Sequence, residues 1–194
     1  MRKLVLITGV LVLLPLSLIA QEIPKAELFT GYSLLRMEKT NLHGFNVSLG
    51  TNLNRNLAIV TDFSGNFGSS NERVFGLSSD VDFRSLSFTV GPRAGERFND
   101  RWHVFVHALL GATRLRVKGT LEGPVSTRSF SESTTGFAGF IGGGIDLKIS
   151  ESASIRLLQV DYLIFRGRED LGTGAKTEGV RLSFGLVVNM GRKQ

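Results

Sequence analysis

Three histidines, His43, His103 and His107, and a scatter of carboxylates are the side chains of this 194-residue chain best equipped for chemistry. Cysteine is absent, which excludes a thiolate metal site, a cysteine nucleophile and a disulfide framework. His103 and His107 stand four residues apart, and four residues on a strand span about 13 Å, too far for one metal ion without other ligands. A serine hydrolase would take His107 as base, Asp62 or Asp161 as its orienting acid and a facing serine as nucleophile. No G-x-S-x-G signature accompanies them. Gly172-Thr173-Gly174-Ala175-Lys176 has the residue types of a phosphate loop without the spacing, and reads as a turn between strands. The sequon Asn46-Val47-Ser48 falls inside a predicted strand. These residues predict no catalysis, no metal and no cofactor, so the elements that position the charged groups must be read first.

Composition bounds those elements. Hydrophobic residues at 42% and charged residues at 21% exclude a disordered chain. The length suits one domain, or at most two, and the formal net charge is +6. Fourteen phenylalanines supply apolar bulk, and 23 glycines exceed the usual share of about 7%, which fits closely packed strands. Residues 1–20 read as a secretory signal peptide: Arg2 and Lys3, an apolar run from Leu4 to Ala20, then Gln21-Glu22. Cleavage is expected after Ala20, leaving 21–194 as the mature domain; the alternative is an uncleaved anchor, for which the run is short against the roughly 20 residues of a span. No cysteine follows the run, which excludes a lipoprotein anchor.

Period-2 alternation recurs through the mature chain, and no later segment reaches 18 apolar residues. The pattern predicts strands at Ala26–Met37, Gly44–Asn54, Leu57–Gly68, Val81–Gly95, His103–Gly119, Thr135–Ile149, Ser154–Arg168 and Gly179–Met190. Connections at Glu38–His43, Ser69–Asp80, Thr120–Thr134 and Glu169–Thr177 are long. Those at Arg55-Asn56, Glu96–Trp102 and Ser150–Ala153 are short and built of turn-forming residues. Long loops at one end and short turns at the other describe an up-and-down antiparallel sheet.

The two faces decide the environment. Val180, Leu182, Phe184, Leu186 and Val188 alternate with Arg181, Ser183, Gly185 and Asn189 in the last strand, and the other strands repeat the division. The small and polar face makes a poor core in water but suits a narrow lumen; the apolar face makes a lipid-facing belt. Strands of about 11 residues, tilted near 40°, span the roughly 25 Å apolar band of an outer membrane, and closure removes sheet edges that lipid cannot satisfy. The pattern therefore predicts an all-β, eight-stranded transmembrane barrel. A soluble lipocalin-like periplasmic carrier is the alternative, kept open by the inward parity of Phe29, Phe105, Leu157 and Phe165.

Glu27–Arg36 (ELFTGYSLLR) resembles the opening strand of OmpA-like outer-membrane β-barrel domains. Ala58–Gly65 (AIVTDFSG), Gly91-Pro92-Arg93, Phe105–Gly111 (FVHALLG) and Leu157–Tyr162 (LLQVDY) are similar to later strands of those domains. The resemblance covers about residues 25–190, implies an eight-stranded outer-membrane barrel with periplasmic termini, and carries no catalytic motif. The chain departs from the family in its last strand, where Phe184 is the final aromatic before Val187–Gln194. It is also expected to lack the second, peptidoglycan-binding domain of full-length members.

On this parity Glu27, Asp62, Arg93, His107, Asp146, Asp161 and Arg181 point inward. Charges in a narrow lumen must pair or hold water, and an eight-stranded barrel is about wide enough for its own side chains. A plugged lumen with a charge network is expected. At the long-loop end the apolar parity runs into cations: Arg84, Arg114, Arg116, Lys118, Arg166 and Arg168. Phosphate suits the planar fork of arginine, so these residues are expected to form a lipopolysaccharide-contacting rim. The expected role is structural or interactive, in envelope integrity and surface loop display, with a lipid-acting outer-membrane enzyme as the other reading. The expected partners are outer-membrane lipid, lipopolysaccharide and the barrel-insertion machinery, with no nucleic acid, for a monomeric protein.

Overall fold

The computed structural model describes residues 24–37, 40–74, 77–99, 101–122, 127–167 and 176–192. The expected signal peptide lies outside the described residues. Eight strands follow one another: β1 (Pro24–Met37), β2 (Thr40–Asn52), β3 (Leu57–Val74), β4 (Leu77–Phe98), β5 (Trp102–Glu122), β6 (Thr127–Lys148), β7 (Ala153–Gly167) and β8 (Lys176–Arg192). Each pairs antiparallel with its neighbour, and β8 closes on β1 into a barrel. The short turns lie at the same end as Pro24 and Arg192. One of them is held by the Asn54 side chain, whose Oδ1 accepts the backbone N–H groups of Asn56 and Leu57 at 2.9 and 2.8 Å. Asn99 supplies a left-handed residue (φ 50°) in another, a conformation asparagine tolerates well.

The alternation read from the sequence becomes an inside and an outside. Tyr32, Phe63, Phe88, Val106, Leu110, Phe137, Ile141 and Phe184 are exposed, while each has at least one sequence neighbour buried in the lumen. An exposed band of this size is a belt for hydrocarbon and contradicts the soluble carrier, whose bulky residues would face inward.

Two expectations need correction. The long connections expected at Ser69–Asp80 and Thr120–Thr134 are largely strand: β3 pairs with β4 out to Val74↔Leu77, and β5 with β6 out to Glu122↔Thr127. Serine, threonine and asparagine on both parities read as loop, because a strand whose sequence has no consistently apolar parity leaves no period-2 signal. Leu157 was expected inside and lies outside, exposed beside Leu158. A β-bulge between Arg156 and Gln159 puts these two leucines consecutively on the outer face. Arg156 is thereby turned inward.

β2 pairs with β3 only as far as His43↔Phe67, and β6 with β7 only to Gly136↔Gly167. Beyond those points β3, β4, β5 and β6 continue as a four-stranded sheet standing off the barrel rim. From Thr127 to Thr135 the outer edge of β6 pairs with no further strand among the described residues.

Candidate functional site

The lumen is divided into layers. Toward the long-hairpin end, Leu35, Leu42, Val60, Leu109, Ala138, Phe140, Leu163 and Phe165 form one buried apolar cluster. Below it lie two groups of charged and amide side chains. The network needs closely approaching strands, and glycine provides the approach. His107 on β5 and Asp161 on β7 flank Gly142 of β6 in register. A Cβ on Gly142 would stand 2.3 Å from Asp161 Oδ1. Without it, His107 Nε2 and Asp161 Oδ1 meet across the intervening strand at 2.8 Å.

Arg181 is the hub. Its guanidinium donates to Asp161 Oδ2 from Nε and Nη2 at 2.9 and 2.7 Å, and from Nη1 to Asp62 Oδ1 at 2.8 Å and Ser64 Oγ at 3.0 Å. Asn46 Nδ2 donates to the other oxygen of Asp62 at 2.7 Å. The Arg181 guanidinium carbon stacks 4.2 Å from the centre of the Phe140 ring, so the network is roofed by the apolar cluster. Gln159 carries the chain downward, donating to Asp161 Oδ2 at 2.7 Å and accepting from Arg156 Nη1 at 2.6 Å. Arg156 grips Asp146 in a two-point fork of 2.8 and 3.1 Å, and lies between the rings of Phe29 and Phe105 at 4.3 and 4.4 Å. A second group pairs Glu27 with Arg93, with Arg97 at 2.9 Å and with Asn52 at 3.0 Å. Four carboxylates thus meet four guanidinium groups inside the barrel, and every one of these carboxylates is held by at least one arginine.

All seven residues assigned to the lumen from sequence are buried there: Glu27, Asp62, Arg93, His107, Asp146, Asp161 and Arg181. The structure splits them into two groups, with Arg93 and Glu27 in one and Asp62, Asp161, Arg181 and His107 in the other. Asp146 joins the second group only through Arg156 and Gln159, which sequence reasoning left out of the site. Arg156 was obscured by the bulge; the consecutive apolar pair Leu157-Leu158 was the mark that could have revealed it. The three histidines lie in three environments: His43 bonds the Tyr32 hydroxyl outside, His103 sits 3.5 Å from Asp146 near the short-turn end, and His107 is in the network. No cluster of three metal-ligating side chains occurs among the described residues. His107 is buried in contact with Asp161 and Phe105.

On the outside, Arg84 of β4 stands directly opposite Arg116 of β5, with Arg114 and Lys118 two residues to either side. Lys118 faces Asp82, and Arg84 lies 6.0 Å from the Phe67 ring. Arg166 is exposed on β7, away from this cluster, and Arg168 lies outside the described residues.

Residues 21–187 match the model of the outer membrane protein beta-barrel domain. The chain belongs to this family. It resides in the cell outer membrane, and the exposed apolar band is its lipid-facing belt. Ail, the attachment invasion locus protein of Yersinia pestis, solved in complex with the heparin analogue sucrose octasulfate, is similar in fold: TM-score 0.58, 20% identity, covering 88% of this chain and 99% of that one. Neisserial surface protein A gives a TM-score of 0.51 at 12% identity, covering 85% and 96%. OprG of Pseudomonas aeruginosa gives 0.50 at 10%, covering 89% and 98%. No curated protein matches the chain.

Proposed function

We propose that this barrel serves the outer membrane as a structural and interaction protein that works through its outer surfaces, without catalysis. The observation that carries the reading is the filled lumen: an apolar layer above a fully paired charge network makes a rigid pin rather than a path. The work is then left to the belt, the rim and the standing sheet. The sheet formed by β3–β6 displays its surface beyond the bilayer, and the β6 edge from Thr127 to Thr135, unpaired among the described residues, is the kind of main-chain surface that accepts an extended segment of another protein. The barrel acts as a monomer in outer-membrane lipid, is delivered by the barrel-insertion machinery, needs no cofactor and binds no nucleic acid.

The rim anchors it. Like charges directly opposite on neighbouring strands destabilise a sheet, and Arg84 and Arg116 are such a pair, with Arg114 and Lys118 adding to the field. An anion lying over them removes the repulsion. At the end away from the termini the available anions are the phosphates of lipopolysaccharide, which arginine forks grip in a bidentate manner. Arg166, and Arg168 on the sequence pattern, extend the contact to β7. Thermal unfolding in vesicles with and without lipopolysaccharide tests this. The wild-type barrel gains stability from lipopolysaccharide, and a variant with Arg114→Gln, Arg116→Gln and Lys118→Gln gains much less. An equal gain in both proteins refutes the rim.

A further inference from the structure

The opposite mouth of the barrel holds a half-open cavity of about 490 Å³. Its wall includes Arg97, Arg101, Trp102, His103, Lys148 and Asn189, and the carboxylates of Glu27 and Asp146 lie at its floor. Those two acids are already committed, Glu27 to Arg93 and Arg97, and Asp146 to Arg156. The lining carries Arg97, Arg101 and Lys148 against Glu27, Asp146 and Glu151, three to three, with His103 in addition; Arg93 and Arg156, which hold Glu27 and Asp146 from behind the wall, bring the local count to five cations against three acids. A cation excess inside a concavity with low-dielectric walls focuses a positive potential on its contents. The size falls in the range of about 300–1,000 Å³ that takes a small ligand. Ser152, Ser154 and Asn189 add neutral hydrogen-bonding groups, and Trp102, Pro24 and Val187 add apolar surface.

We infer that this mouth is a binding site for a small oxyanion of the periplasm, bearing carboxylate or phosphate groups. Arg101 and Lys148 form its entrance: both are exposed and lie outside the buried pairs of the lumen, and their strands are tied together there by the Lys148 N–H to Arg101 C=O bond of 2.7 Å. Arg97, half-held by Glu27, lies deeper, with its side chain 24% exposed.

Trp102 is the only tryptophan in the chain and lines this mouth, so an anion-dependent change in its fluorescence reports on this end of the barrel. The full barrel, refolded in an amine-oxide detergent that carries no phosphate, is titrated with citrate, with a tri-glutamate peptide, with inorganic phosphate and with neutral acetyl-triglycine amide. A saturable change with the anions and none with the neutral peptide is expected. The response to citrate and tri-glutamate against that to phosphate distinguishes a carboxylate ligand from a phosphate one. The double variant Arg101→Gln, Lys148→Gln keeps the lumen pairs intact and weakens binding by at least about tenfold, because each lost charge-assisted hydrogen bond is worth about tenfold or more. Lack of any saturable response in the wild-type barrel, or undiminished binding in the double variant, overturns the inference.

Discussion

Replacing Arg181 with methionine strikes the lumen at its most connected point. The guanidinium is fully buried and makes four hydrogen bonds, two to Asp161 Oδ2 and one each to Asp62 Oδ1 and Ser64 Oγ. Methionine fills much of the same volume against Phe140, so little of the loss is a cavity. What remains is electrostatic. Asp161 keeps His107 and Gln159 as partners, but Asp62 is left with Asn46 alone. Removing one partner of a buried ion pair typically costs about 3–5 kcal/mol, and orphaning Asp62 places Arg181→Met within that range. At about 1.4 kcal/mol per factor of ten, the folding equilibrium falls by roughly two to four orders of magnitude. Reversible urea unfolding in lipid vesicles, followed by the shift in gel mobility between folded and unfolded barrel, measures it. The triple variant Arg181→Met, Asp62→Asn, Asp161→Asn removes the orphaned charges together and is expected to recover most of the loss, since neutral replacement of a buried ion network is often tolerated. A loss under about 1 kcal/mol for Arg181→Met, the range of a solvated surface pair, would refute a sealed, low-dielectric lumen. So would a triple variant no more stable than the single one.

Arginine in place of Val106 or Leu186 puts a charge in the lipid belt and costs about 2–4 kcal/mol near the bilayer midplane, read by the same unfolding assay; unimpaired folding of both variants contradicts the outward parity seen for these residues. Deleting Leu157 removes the extra residue of the β7 bulge while leaving Arg156 and Gln159 both inward, so the barrel still folds. Deleting Val160 instead forces Gln159 and Asp161 onto successive positions and costs far more; equal folding of the two deletions would show that the bulge does not set the register. In planar bilayers the monomer shows no stable, large, water-filled conductance, because Leu109, Phe140 and Leu163 close the lumen above the charges; such a conductance would contradict the filled interior.

The sequence carried the barrel clearly because lipid and lumen impose opposite demands on alternate residues, and a strand such as Val180–Val188 records both in nine letters. Where neither face is consistently apolar, as in the sequences of Ser69–Asp80 and Thr120–Thr134, the alternation has nothing to record and strand reads as loop. Inward charges were legible for the same reason as the belt: an aspartate or arginine between two apolar residues has only one place to go. Their partners were not, because pairing depends on shear and on which intervening side chains are missing. Gly142 lets His107 reach Asp161 across a strand, and nothing in the spacing of residues 107, 142 and 161 announces it. Arg156 shows the remaining limit. Counted by strict alternation from Gln159 it falls on the lipid side, where an arginine would cost several kcal/mol. The cheaper arrangement inserts one extra residue, spends Leu157 on the belt, and returns Arg156 to Asp146 between two phenylalanine rings. A charge predicted to face lipid is thus better read as the address of a bulge than as an exception to the barrel.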